Sequence, residues 1–218
     1  MDQPAGAPAP MTRRERRRHE TIDEILTLSL EVMRQEGVAG LNLSAVAKRL
    51  GVQPTTLYKY FPSLTAVYDA LLQRAVDSLQ HELSAAISAA PPGMAAIRAA
   101  VQSASKWASR NSELSQLLLW RPVAGYRPPL DPVAPSTALV MEMFTDALAQ
   151  AADAGEISPE IVGERGAYIL GVLLTGAISL QFADFGSPWS PHDFIELVPD
   201  LIDMFAAAYS PGAQPING

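Results

Sequence analysis

GVQPTTLYKYF, residues 51–61, decides how the rest of the chain reads. The chain carries 16 Lys+Arg against 23 Asp+Glu, a formal net charge of -7, yet this stretch holds two threonines, two tyrosines and a lysine with no acid. At about 100° per residue, Leu57 and Phe61 fall on one side of a short helix over 53–60 and anchor it. Thr55, Thr56 and Lys59 then face outward, Tyr58 takes the flank and Tyr60 the opposite edge. The outward set is hydrogen-bonding groups, one cation and one aromatic ring.

The residues just before it complete a unit. A helix at about 43–49 has Leu43, Val46 and Leu50 on its inner face and Asn42 as its N-cap. Ala47 is small enough to let the next helix cross closely, and Gly51 supplies the turn. Two short helices joined at a glycine have the shape of a helix-turn-helix. They are also common in helical proteins that bind no nucleic acid, and spacing alone leaves both readings open. The outward face of the second helix suits a major groove, with threonine and lysine reaching base edges and tyrosines reaching phosphates.

Working outward, helical spacing continues in both directions and nothing alternates with period two, so the fold class is all-α. A first helix over 12–36 carries Ile22, Ile25, Leu26, Ser29, Val32 and Met33 on one stripe, and Gly37 follows where a left-handed cap is wanted. Ser63 caps a long helix over 64–89, about 40 Å at 1.5 Å per residue. Residues 90–93, APPG, end it. Further helices read at about 94–110, 112–121, 133–154, 159–185 and 191–209, with Ser158-Pro159 and Ser190-Pro191 as N-cap/N1 pairs. Residues 121–135 hold five prolines and read as an irregular connector. The expected organisation is a tail over 1–11, a helix-turn-helix domain over 12–62, a helical body over 63–210 and a second tail over 211–218.

Composition bounds the function. With 218 residues, 48% of them hydrophobic, the chain can bury a sizeable core. It has no cysteine, which excludes disulfides and thiolate metal sites and fits a cytoplasmic location. No secretory signal is visible in MDQPAGAPAP. Residues 166–183 carry no charge, but they are short for a span and include a Gln and three glycines; they read as a buried helix, and no membrane is expected. His19, His81 and His192 lie far apart, none with a second ligand at metal spacing, and there is no phosphate loop or G-x-S-x-G elbow. Neither a metal, a cofactor nor an enzyme is expected. Charge is uneven: up to residue 62 there are nine basic and seven acidic residues, and five arginines fall within RRERRR at 13–18. The front end can face an anionic partner while the acidic body stays off it.

The stretch LNLSAVAKRLGVQPTTLYKYFPSLTAVYDAL, residues 41–71, closely resembles the DNA-binding domain of the tetracycline-repressor (TetR) family. The resemblance covers about residues 15–75. It implies an all-helical homodimer with a three-helix head, a ligand-binding body, a palindromic double-stranded DNA operator and a small-molecule effector, most often acting as a repressor. Carried over by position, the family's DNA contacts fall on Thr55, Thr56, Tyr58, Lys59 and Tyr60, with Asn42 near backbone phosphate. Leu64 stands where the family usually has a lysine, which favours the alternative of a ligand- or partner-binding dimer that has lost sequence-specific DNA binding.

In the body, large apolar residues including Trp107, Trp120, Met141, Phe144, Tyr168 and Phe182 are core residues or, as a set, the lining of an apolar effector cavity, with polar groups such as Gln102, Gln116, Gln181 and Asp184 to orient the effector. Gly163, Ala167, Leu170, Leu174 and Ala177 share one stripe. The resemblance places the last two long helices in a four-helix dimer interface, which such a stripe would suit; the other reading is that it packs inside one subunit. A mid-helix glycine costs about 1 kcal/mol relative to alanine, so Gly166, Gly171 and Gly176 point to close packing or to space kept open.

Overall fold

The computed structural model describes residues 11–120, 123–182 and 190–213, the side chains of Trp120, residues 130–134, 136, 137 and 191 excepted. Ten α-helices run through them: α1 (Arg13–Glu36), α2 (Leu43–Leu50), α3 (Pro54–Leu57), α4 (Leu64–Ala89), α5 (Met94–Arg110), α6 (Ser112–Trp120), α7 (Leu130–Asp153), α8 (Glu164–Leu180), α9 (Pro191–Glu196) and α10 (Val198–Ala208). The chain divides into two compact units, Met1–Val67 and Tyr68–Gly218.

In the first unit α1 packs on α2 and α2 on α3. Ile25, Leu26, Val32 and Met33 of α1 are buried with Val46 and Ala47 of α2 and with Leu57 and Phe61. Burying each large apolar side chain contributes about 1.5–3 kcal/mol. Ser29 sits on the same buried stripe at no polar cost, because its hydroxyl donates to the Ile25 carbonyl at 2.8 Å. The ends of the helices follow their caps. Thr12 and Glu15 form a capping box at α1, and Asn42 Oδ1 accepts from the Ala45 N–H at 2.8 Å. The Ser63 hydroxyl accepts from the Ala66 N–H at 3.1 Å at the start of α4. Gly51 closes α2 in the left-handed region, φ 74° and ψ 27°, a conformation that would strain any residue with a Cβ.

Sequence expectation and structure differ at several ends. Gly37 has the positive φ that favours glycine, but ψ is 163°, so the chain leaves α1 extended and enters a short 3-10 turn over Val38–Gly40. The recognition segment is α-helical only over Pro54–Leu57. Lys59 and Tyr60 donate to the Thr56 and Leu57 carbonyls in tighter turns, and Pro62 bars helix at Phe61.

The second unit is built around α5, which packs against α6, α7, α8, α9 and α10. Ala96, Ala100, Ala104 and Ala108 are buried on α5, and alanine lets neighbouring helices approach closely. Trp107 Nε1–H donates to Ser78 Oγ at 2.9 Å, which ties α5 to α4. The Glu156 carboxylate accepts from the first N–H of α5, Met94, at 2.8 Å, a negative group at a helix N-terminus. Arg98 of α5 pairs with Asp203 of α10.

The irregular connector is shorter than expected, since α7 begins at Leu130 with Pro132 in its first turn and Pro135 inside it. Proline is tolerated in a first turn, where the missing N–H has no partner. The helix expected over 159–185 is broken. Pro159–Ile161 forms a 3-10 turn, Val162 is extended, Gly163 has φ 120°, and α8 runs only over Glu164–Leu180. The helix expected over 191–209 breaks at Leu197, where the amide-lacking Pro199 restarts it as α10. Among the described residues no helix is long and apolar enough to cross a membrane, and no group of three or more His, Asp or Glu is placed to hold a metal.

Candidate nucleic-acid interface and effector cavity

In the first unit Leu57 and Phe61 are buried, and this fixes which side of α3 faces solvent. Thr55 and Lys59 are exposed, Thr56 is half-buried, and Tyr58 is 54% exposed, unusual for a large aromatic ring. Four of the predicted contact residues are therefore brought together on one open edge, Thr56 partly so. Tyr60 departs from this pattern. It is half-buried, with the Arg18 guanidinium 5.6 Å from its ring centroid, and Arg18 Nη1 donates to the Lys59 carbonyl at 3.5 Å. An exposed cation–π contact of this kind contributes about 0.5–1 kcal/mol. Asn42 is exposed, but its side chain is engaged in capping α2 and in bonding the Gly40 carbonyl at 3.2 Å.

The arginine run meets the recognition segment directly. Arg13, Arg14, Arg17, Arg18, Thr21, Lys59 and Tyr60 line a concavity of about 1000 Å³ together with Thr12 and Glu15. Five of these side chains are cationic and one is acidic. The acid is tied down: the Thr12 N–H and then its hydroxyl hold the Glu15 carboxyl below the usual carboxylate range. The junction of α1 with the turn after α3 joins residues about 40 apart in sequence, and nothing in the sequence signals it. The cap that starts α1 beside it is legible, since T-x-x-E at 12–15 is a capping-box pattern.

In the second unit a cavity of about 240 Å³ lies between α4, α6, α7 and α8. Val76, Leu79 and Gln80 of α4, Leu118 and Leu119 of α6, Val140, Met141 and Phe144 of α7, and Gly171, Leu174, Thr175 and Ile178 of α8 line it. Of the predicted effector residues, Met141 and Phe144 fall on this wall. Trp107 is buried in the core with its indole N–H bonded to Ser78, Phe182 is half-buried and off the wall, and Tyr168 is 61% exposed on the outer side of α8. The Trp120 side chain lies outside the described residues. Gln181 is buried with neither amide atom partnered among the described residues, and it does not line the cavity.

The stripe read as suiting a second subunit, or else as packing inside one, lies within this chain except at Gly163. Ala167, Leu170, Leu174 and Ala177 are buried within the single chain, and Gly163 precedes α8. The reason is that α8 packs this side on α5 and α7, leaving Tyr168 and Val172 (70% exposed) on the other. The three glycines divide between the expected roles. A Cβ on Gly166 would collide with the Ile161 carbonyl and Leu148, Gly171 borders Met141 at the cavity, and Gly176 faces open space.

Comparison with known proteins places the head. Residues 25–71 match the family of bacterial regulatory proteins called tetR. The chain is 29% identical over 136 residues to the HTH-type transcriptional regulator Rv1816 of Mycobacterium tuberculosis, covering 62% of this chain and 58% of that one. It is 28% identical over 100 residues to the nucleoid occlusion factor SlmA of Haemophilus influenzae, covering 45% and 46%. The chain thus spans about half the length of the curated relatives it matches. Its fold matches that of the transcriptional regulator FadR from Bacillus subtilis, solved in complex with stearoyl-CoA, with a TM-score of 0.69 at 12% identity over 85% of this chain and 97% of that one. Two of these proteins are named as transcriptional regulators. The tetR-family match falls on the same residues that carry the resemblance read from 41–71, so the head is a helix-turn-helix of that family's type.

Proposed function

We propose that the protein is a ligand-responsive repressor that binds a palindromic operator as a homodimer and releases it when a small apolar effector enters the body. The observation that carries the reading is the open edge formed by Thr55, Tyr58 and Lys59 beside the arginine-lined concavity of α1. Base-edge groups on a short helix next to a cluster of cations combine sequence readout with phosphate attraction. A two-fold dimer would set two such edges about 34–36 Å apart, one helical turn of DNA.

The surface we assign to the second copy is the outer face of α8, where Tyr168 and Val172 stand exposed and, with Arg165, Ile169 and Leu173, line a surface groove. Exposed large apolar residues in contiguity mark interaction sites. The effector reading is supported by the apolar cavity and by α4, whose first residues belong to the first unit and whose later turns wall the cavity. A ligand that prefers one position of α4 would shift the DNA affinity by the difference it feels between the two states. The alternative of a ligand-binding dimer without sequence-specific DNA binding rests on Leu64, which opens α4 half-buried instead of offering a cation.

Selection of random DNA fragments by the purified protein at moderate salt, repeated with Tyr58→Ala, tests the reading. Enrichment of one palindromic sequence that the variant loses is the expected result. Absence of enrichment at every salt concentration would leave the DNA-free alternative standing.

A further inference from the structure

We infer that the cavity between α4, α6, α7 and α8 takes an uncharged, compact molecule of about ten non-hydrogen atoms with a single hydrogen-bonding group, such as a hydroxylated bicyclic aromatic. The inference rests on the effector reading above and names the class of ligand that site selects.

Size comes first. An engineered apolar cavity of about 150 Å³ holds benzene, so the 240 Å³ here accommodates a molecule roughly half as large again. A long acyl chain exceeds it nearly twofold and a nucleotide thioester several-fold. Charge comes second. Among the described residues no ionisable side chain lines the cavity. A carboxylate or ammonium ligand would lose its hydration with no counter-charge to meet it, whereas an apolar body loses nothing of the kind.

The wall is also polar at one end. Phe144, Leu174 and Ile178 are buried and form its depth. Its polar side chains are Gln80, half-buried, and Thr175, exposed. Thr175, Gly171 and Met141 border both the cavity and a groove on the outer face of α8 that shares Tyr168 and Val172 with the face assigned to the second copy, so the open end of the cavity lies toward that copy. A ligand therefore seats with its apolar end inward and leaves its one hydroxyl or carbonyl at Thr175 and Gln80, where both donor and acceptor are offered.

Isothermal calorimetry of the full chain with naphthalene, 1-naphthol and 1-naphthoate separates size, polarity and charge in one series. The expected order is 1-naphthol tightest, naphthalene weaker, and 1-naphthoate at least about tenfold weaker than 1-naphthol because its charge goes unmatched. Gly171→Leu, which fills the cavity from α8 while improving helix propensity, should abolish 1-naphthol binding with the circular dichroism unchanged. Thr175→Val should bring 1-naphthol down to the affinity of naphthalene. Equal or tighter binding of 1-naphthoate, binding that survives Gly171→Leu, or no binding of any of the three overturns the inference.

Operator affinity measured alongside separates this from the wider reading. Naphthol binding that Gly171→Leu abolishes but that leaves operator affinity unchanged upholds the ligand class and removes the effector role. A charged or larger molecule that alone shifts operator affinity does the reverse.

Discussion

The Tyr126 hydroxyl donates to Asp69 Oδ1 at 2.8 Å, and its ring lies 5.4 Å from that of Tyr68. One residue in the connector between α6 and α7 thus grips α4 twice, by a bond to an anion and by ring contact. Burial, then the Asp69 carboxylate, push the Tyr126 hydroxyl well above the usual tyrosine range.

Tyr126→Phe keeps the ring contact and removes the bond, and should cost about 1 kcal/mol in urea unfolding, below the range of about 1.5–3 kcal/mol for a bond to a charged group because the pair is only partly buried. The raised Tyr126 value also carries a pH signature. Its stabilising contribution is complete below the unfolded tyrosine value of about 10 and is lost as pH rises through the folded value. Wild type should therefore lose stability above about pH 10 more steeply than Tyr126→Phe. Parallel alkaline profiles for the two proteins would count against the bond.

Leu57 is fully buried beneath α3. Leu57→Ala should destabilise the head by about 2–5 kcal/mol, from lost transfer and from the cavity left behind. Thermal unfolding followed by circular dichroism measures it. A change below about 0.5 kcal/mol, the range of surface substitutions, would mean that the helix is not anchored through this residue.

The arginines lining the concavity should act through phosphate and not through bases. Arg14→Ala and Arg17→Ala are each expected to weaken operator and random DNA alike, lowering the slope of log K against log salt by about 1. Filter binding over a salt series reads this out. A loss confined to the operator would instead assign them to base recognition.

Gln181 is buried without a partner for either amide atom among the described residues. Gln181→Met, close in volume, should raise stability by about 1 kcal/mol by removing the unmet polar group, with 1-naphthol affinity unchanged because Gln181 is not on the cavity wall. Destabilisation in chemical unfolding would show that the amide is satisfied.

Much of this protein is fixed by local chemistry. Helical periodicity, the Ser63 cap and the APPG stop at 90–93 predict α4 over 64–89 and α5 over 94–110, both found as expected. Asn42 and Ser63 start their helices by bonds to amides three residues on, and Gly51 ends α2 for lack of a Cβ. Leu57 and Phe61, one turn apart, settle which side of the recognition segment points out. Such signals reach only a turn or so, so neighbouring residues carry them completely.

What the sequence left open depended on partners far along the chain. The helix α8 is apolar on two sides, and periodicity gives no reason for Leu170 and Leu174 to be inside and Tyr168 and Val172 outside. Packing against α5 and α7 decides that, which is why the stripe of small residues fell within the chain and the exposed face elsewhere. The meeting of Arg18 with Tyr60, the grip of Tyr126 on Asp69 and the cavity behind Met141 and Phe144 have the same origin. Each requires two or more helices to arrive at one place, and only the tertiary fold brings them there.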